Sequence, residues 1–88
     1  MISVEERIIQ IINASLKEKN EKFTLLSLDQ SDQELSQHGM DSITFIRIIV
    51  KLEESFTIQI PDEKLLITEM GTVGKIIKVI LSILKATE

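Results

Sequence analysis

Gly39-Met40-Asp41-Ser42-Ile43-Thr44-Phe45-Ile46-Arg47-Ile48-Ile49-Val50-Lys51-Leu52-Glu53-Glu54-Ser55-Phe56 is the stretch that decides the architecture. It opens with a flexible glycine and two side chains, Asp41 and Ser42, of the kinds that accept hydrogen bonds from the free amides of a first helical turn. Ile43, Ile46, Ile49, Val50, Leu52 and Phe56 follow at helical spacing. A helix is therefore expected to start at or beside Ser42, with the Phe56 ring buried as its spacing suggests. Thr57-Ile58-Gln59-Ile60 is too short and too β-branched to prolong it. Pro61 then offers a favoured first helical position, with Asp62 and Glu63 near the positive end of the dipole, so a short third helix is expected through Leu65, Leu66 and Ile67.

Working outward, Ser3-Val4-Glu5-Glu6 fits a capping box, and Val4, Ile8, Ile11, Ile12 and Leu16 draw one apolar stripe that ends in the polar cluster Lys17-Glu18-Lys19-Asn20. From Asn20 to Met40 the pattern is irregular, but Phe23, Leu25, Leu26, Leu28 and Leu35 are expected to pin this long connection to a core. Ser31-Asp32-Gln33-Glu34 can cap one short turn within it. After Met70-Gly71, Thr72 is a candidate cap, and Val73, Ile76, Ile77, Ile80, Leu81 and Leu84 mark a last helix. The expected fold is all-α, with three long helices, one short third helix and one long first loop, in a single domain spanning residues 1–88.

Composition narrows the function. The chain has 88 residues, 43% of them hydrophobic, enough for one core and no second domain. A net charge of −4 argues against nucleic acid as a partner, because phosphate neutralisation needs a cationic face. There is no cysteine, which excludes a disulfide scaffold and a thiolate zinc site and leaves the chain no thiol of its own. Acids stand where a signal peptide would carry positive charge, and no window approaches the roughly 18 uninterrupted apolar residues of a membrane span. A cytoplasmic, soluble protein that does not engage membranes is expected.

A serine at a helix start is usually only a cap. Catalysis through Ser42 lacks support, since no Gly-x-Ser-x-Gly elbow is present and the single histidine, His38, has no evident orienting partner. The chain is accordingly read as not an enzyme and as holding no metal.

The run Gly39-Met40-Asp41-Ser42-Ile43, continued by Leu52-Glu53-Glu54-Ser55-Phe56, Ile58-Gln59-Ile60-Pro61-Asp62-Glu63 and Thr72-Val73, closely resembles the acyl and peptidyl carrier protein family. That family carries Gly-x-Asp-Ser-Leu/Ile, then Leu-Glu-Glu-x-Phe, Ile-Pro-Asp-Glu and Thr-Val. The resemblance spans about two thirds of the chain in motifs and its whole length in helix order. It implies the four-helix carrier-protein bundle, and it implies that Ser42 bears 4'-phosphopantetheine as a phosphodiester, with Asp41 and Gly39 completing the attachment motif. A separate phosphopantetheinyl transferase would install the arm from coenzyme A. The physics agrees, because a phosphate at a helix N-terminus meets unpaired amides and the positive dipole end, and Gly39 permits close approach. The cofactor would bring the sole thiol. His38 departs from the Leu that many members place before the glycine; a solvated loop residue is expected there, with Leu35 anchoring the loop.

What the resemblance implies is a stand-alone, monomeric carrier of acyl, aminoacyl or peptidyl thioesters, working with cargo-loading and cargo-modifying biosynthetic enzymes. Fatty-acid carriers resemble one another in an acid-rich second helix, whereas here Arg47 and Lys51 dilute that face, with only Glu53 and Glu54 following. This points toward non-ribosomal peptide or polyketide biosynthesis, with a housekeeping fatty-acid carrier as the alternative. Met40, Ile43, Arg47, Val50, Lys51, Leu65 and Ile67 are the candidate partner-docking residues, Met40 and one of the short-helix residues being the preferred exposed members. A helical protein-interaction module without cofactor, in which Ser42 is only a cap, accounts for the composition but not for the motif.

Overall fold

Ser3 is extended, and its hydroxyl accepts the Glu6 amide at 3.1 Å, which starts helix α1, Val4–Lys19. Glu5 and Glu6 lie at its positive end, Lys17 and Lys19 at its negative end. Helix α2 runs Ser42–Phe56 and helix α3 Val73–Ala86. The computed structural model describes residues 3–61 and 70–86. The short helix expected through Leu65, Leu66 and Ile67 lies outside them. Among the described residues the protein is all-α, with no strand, and α1 packs against both α2 and α3.

The core forms where the three helices converge. Ile8, Ile12 and Leu16 of α1, Ile48 and Leu52 of α2, and Ile76 and Ile80 of α3 are all essentially sealed from solvent. Each such side chain contributes about 2 kcal/mol of burial. The buried face of α2 takes only Ile49 and Leu52 from the helically spaced apolar set. Thr44, Phe45, Ile48, Ile49 and Leu52 point inward, whereas Ile43, Ile46 and Val50 are 68%, 51% and 43% exposed. Phe56 is only partly buried, because it closes the rim where the Arg7 guanidinium lies 4.6 Å over its ring and donates to the Ser55 hydroxyl at 2.8 Å. Leu81 of α3 is likewise turned outward, its stripe narrowing to Val73, Ile76 and Ile80.

Helix α2 ends at Thr57, whose φ of 53° is the left-handed conformation that usually closes helices but that a β-branched residue adopts at a cost. The cost is offset by two amides converging on one carbonyl, since Thr57 and Ile58 both donate to Glu53 O. The Glu53 carboxylate then accepts the Ile60 amide at 2.8 Å and seats Ile60 in the core. This is the physical content of the Leu-Glu-Glu-x-Phe and Ile-Pro spacing.

The first loop is held at several points rather than by a stripe of leucines. Phe23, Leu26 and Leu35 are buried, but Leu25 and Leu28 are exposed, because the loop folds into two 3-10 turns, Leu28–Gln30 and Leu35–His38, on either side of the segment expected to cap a single one. Buried Asn13 of α1 donates from Nδ2 to Leu26 O at 2.9 Å, and its Oδ1 accepts the Leu26 amide at 3.0 Å. The side chain thus serves the loop as a neighbouring strand would. Farther on, the Leu35 amide donates to Gly71 O at 2.8 Å, and the Gly74 amide, in the first turn of α3, donates to Ser31 O at 2.9 Å. A Cβ on Gly74 would stand 3.2 Å from that same Ser31 oxygen, so glycine is what lets the loop lie against α3. Thr72 caps α3 as expected, its hydroxyl accepting the Lys75 amide at 3.1 Å.

Replacing Asn13 by alanine leaves both backbone groups of Leu26 unpaired in a buried setting, and we expect Asn13→Ala to lower stability by about 2 kcal/mol. Urea unfolding monitored by circular dichroism measures this; an unchanged midpoint would mean that water satisfies the loop equally well.

Candidate functional site

The segment before α2 is shaped by three successive residues. Gly39, with φ of 94°, closes the second 3-10 turn in the left-handed region, where a side chain would be strained. The chain reverses there, and the Met40 amide donates back to Leu35 O at 3.1 Å. This reversal turns the Met40 side chain into the core at 6% exposure, which corrects the expectation that Met40 is an exposed member of a docking rim. Asp41 is then extended and caps α2, its Oδ1 accepting the Thr44 amide at 2.8 Å.

Ser42 is the first residue of the helix and not its cap. Its side chain is exposed, and the amides of Ser42 and Ile43 belong to the first turn, which has no intrahelical acceptors to offer. Two requirements of a phosphate-bearing residue are therefore met together: a hydroxyl that is accessible and not consumed by capping, and a positive helix end beneath it.

The other oxygen of Asp41 reaches across to α1. Lys19 Nζ lies 2.6 Å from Asp41 Oδ2 and 2.6 Å from Gly39 O, so one ammonium group holds both sides of the turn that leads into Ser42. Lys19 was not singled out by sequence reasoning, which placed it only in the polar cluster closing the first helix. Its position in the last turn of α1 gave no signal of a partner more than twenty residues away. The Lys19 ammonium, followed by the Thr44 amide, holds the Asp41 carboxyl well below the usual carboxylate range.

His38 is partly buried rather than solvated. Its Nε2 is 2.8 Å from Gln33 Oε1, and its ring meets Phe23 edge-on with centroids 6.2 Å apart, beside an open recess of about 400 Å³ that Phe23, Gln37 and Gly39 also line. These contacts tie the ring to the loop. Leu35 is fully buried and anchors the loop.

Of the remaining candidates, Ile43 and Val50 lie with Ile46 on the exposed side of α2, and Arg47 is exposed among them. Ile46 is not among the docking candidates that the sequence offers, although it stands one helical turn after Ser42. Lys51 is turned to α1, its Nζ 3.3 Å from Glu18 Oε2. Leu65 and Ile67 lie outside the described residues.

Comparison with known proteins adds an independent line. The family model described as "Phosphopantetheine attachment site" matches residues 6–80. The chain is also similar to an acyl carrier protein homolog of Ureaplasma parvum serovar 3, being 36% identical over 58 residues, which cover 66% of this chain and 75% of that relative. No solved structure is matched.

The depressed carboxyl of Asp41 gives a pH dependence of definite sign. Asp41 contributes stability that is complete above its ordinary value of about 3.8 and is lost progressively as the pH falls below it. In a carbon-detected titration of the side-chain carboxyls, Asp41 should titrate below 3.8, and Lys19→Met should move it back toward that value while the Thr44 amide retains part of the shift. An Asp41 that titrates identically in both proteins would show that the ion pair is not formed in solution.

Proposed function

This chain belongs to the phosphopantetheine attachment site family, non-catalytic carriers with a covalently attached 4'-phosphopantetheine, and from that premise we propose that Ser42 is the residue bearing the arm. The carrying observation is the division of labour at the start of α2: Asp41 caps the helix, and Ser42 presents an exposed hydroxyl over its unpaired amides. Gly39 and Asp41 shape and hold the turn in front of it. When bound, the arm supplies the thiol that a chain without cysteine lacks. Carrier proteins work with a phosphopantetheinyl transferase and with biosynthetic enzymes, and no helix among the described residues is long and apolar enough to cross a membrane.

The exposed stripe Ile43, Ile46 and Val50, with Arg47 beside it, is the docking surface in this reading. Three large aliphatic side chains left in water on one helix face suit a surface that partners cover transiently. Lys51 is assigned a smaller part because it is bridged to Glu18, and Glu53 is committed to the Ile60 amide. The face that partners meet is thus apolar with Arg47 and, a turn beyond Val50, the exposed Glu54, and it lacks the row of acids that steers fatty-acid carriers to basic enzymes. That balance supports a carrier of specialised metabolism, in a non-ribosomal peptide or polyketide pathway. The second reading, a carrier of housekeeping fatty-acid synthesis, is favoured by the relative of Ureaplasma parvum serovar 3, which is named an acyl carrier protein homolog. In both readings residues 1–88 form one monomeric carrier domain acting in the cytoplasm.

Incubation with coenzyme A and a broad-specificity phosphopantetheinyl transferase, followed by intact mass spectrometry, tests the attachment. One phosphopantetheine should appear on the wild type and none on Ser42→Ala, which should keep its stability within about 0.5 kcal/mol because Asp41 is the cap. Modification of the alanine variant would place the arm elsewhere. Ile46→Glu, on the exposed face, should leave the unfolding midpoint nearly unchanged while slowing transfer by a partner enzyme at least about tenfold, the effect of losing roughly 1.4 kcal/mol of docking energy. Undiminished transfer would exclude the stripe from docking.

A further inference from the structure

Two anions are brought together when Ser42 is loaded. The Asp41 carboxylate sits immediately before the residue that would carry a phosphodiester, and a phosphodiester is negatively charged at neutral pH. Asp41 cannot escape the pairing by protonation, since its carboxyl is held ionised far into acid. It cannot turn away either, because its Oδ1 is needed by the Thr44 amide to cap α2. Adjacent like charges at one helix end repel, and the repulsion acts on the cap that defines where the helix begins.

The one cation that the described residues place on this turn is Lys19. Its ammonium touches the Asp41 carboxylate and the Gly39 carbonyl, each at 2.6 Å, and it arrives from the last turn of α1, a different element from the one being modified. It remains 40% exposed, so it can accept a second anionic neighbour without losing its first. An ammonium group has three donors; two are used here, and one is left to point elsewhere.

We propose that Lys19 is a positioning residue for the loaded protein, the shared counter-ion that lets Asp41 keep capping α2 while a phosphodiester is attached next to it. The inference rests on the reading of Ser42 as the attachment residue. Its consequence is selective: loss of the Lys19 charge weakens the loaded form more than the bare form, because only the loaded form has two anions to reconcile. A merely structural latch between α1 and the turn would weaken both forms equally.

The test compares thermal unfolding of bare and fully loaded protein for the wild type, Lys19→Met, which keeps an apolar stem without charge, and Lys19→Arg, which keeps the charge. At low ionic strength the loaded Lys19→Met protein should lose about 4 °C more than its bare form loses, a gap that closes in about 1 M salt as exposed charges are screened. Lys19→Arg should restore the wild-type pattern. Intact mass spectrometry of each sample separates the two possible failures. A wild type that accepts no phosphopantetheine on Ser42 overturns the attachment reading and this inference with it. Complete loading, with equal losses in the two forms or a gap indifferent to salt, overturns the role of Lys19 alone.

Discussion

The carboxylate of Asp41 is asked to do two things at once, and the arrangement of the molecule around Ser42 follows from that. One oxygen accepts the Thr44 amide and fixes where α2 starts; the other meets Lys19 and fixes where that start lies relative to α1. A cap alone would define a helix end but leave it free to swing on its loop. An interhelical ion pair alone, with both partners exposed, would be worth little. Joined in one side chain, and reinforced by the Lys19 contact to Gly39 O, they make the helix end, the glycine turn and α1 a connected unit. Because Asp41 takes the capping duty, its neighbour is released from it.

The long loop that precedes this turn is ordered at an entropic cost of about 1 kcal/mol or more per residue, and polar contacts meet much of it. Asn13 pairs with both backbone groups of Leu26, Leu35 is buried and pairs with Gly71, and Ser31 accepts the first-turn amide of Gly74. The loop is thereby attached in turn to α1, to the segment before α3 and to α3 itself. Gly39 emerges from a framework fastened on both sides, which is why a turn containing a left-handed glycine can present the next residues in one orientation.

Packing and presentation are divided around α2. Its inward side, Phe45, Ile48, Ile49 and Leu52, is consumed by the core, while the outward Ile43, Ile46 and Val50 add nothing to it. Exposed aliphatic residues at helical spacing raise the risk of self-association, and a helix kept for stability alone would carry polar residues there. Their exposure beside an accessible hydroxyl agrees with a protein whose work is to be visited by others.

From the sequence alone came the order of the three described α-helices, the caps at Ser3 and Thr72, the start of α2 beside Ser42 and the family resemblance, because each depends on residues near one another in the chain. Which side of α2 faces inward was decided only in three dimensions. Between Ile43 and Leu52 the helix is apolar almost all round, so spacing supports several faces equally, and the choice falls to what α1 and α3 offer for contact. The same holds for the burial of Met40 behind a reversed chain, for the half-buried rings of His38 and Phe56, and for Asn13, an ordinary polar residue until Leu26 is laid against it. Lys19 shows the difference most sharply: a lysine in a helical last turn reads as a solvated charge, and only folding carries Asp41 across to meet it. Local signals are written in adjacent residues, whereas a contact between distant ones is set by the packing of whole elements.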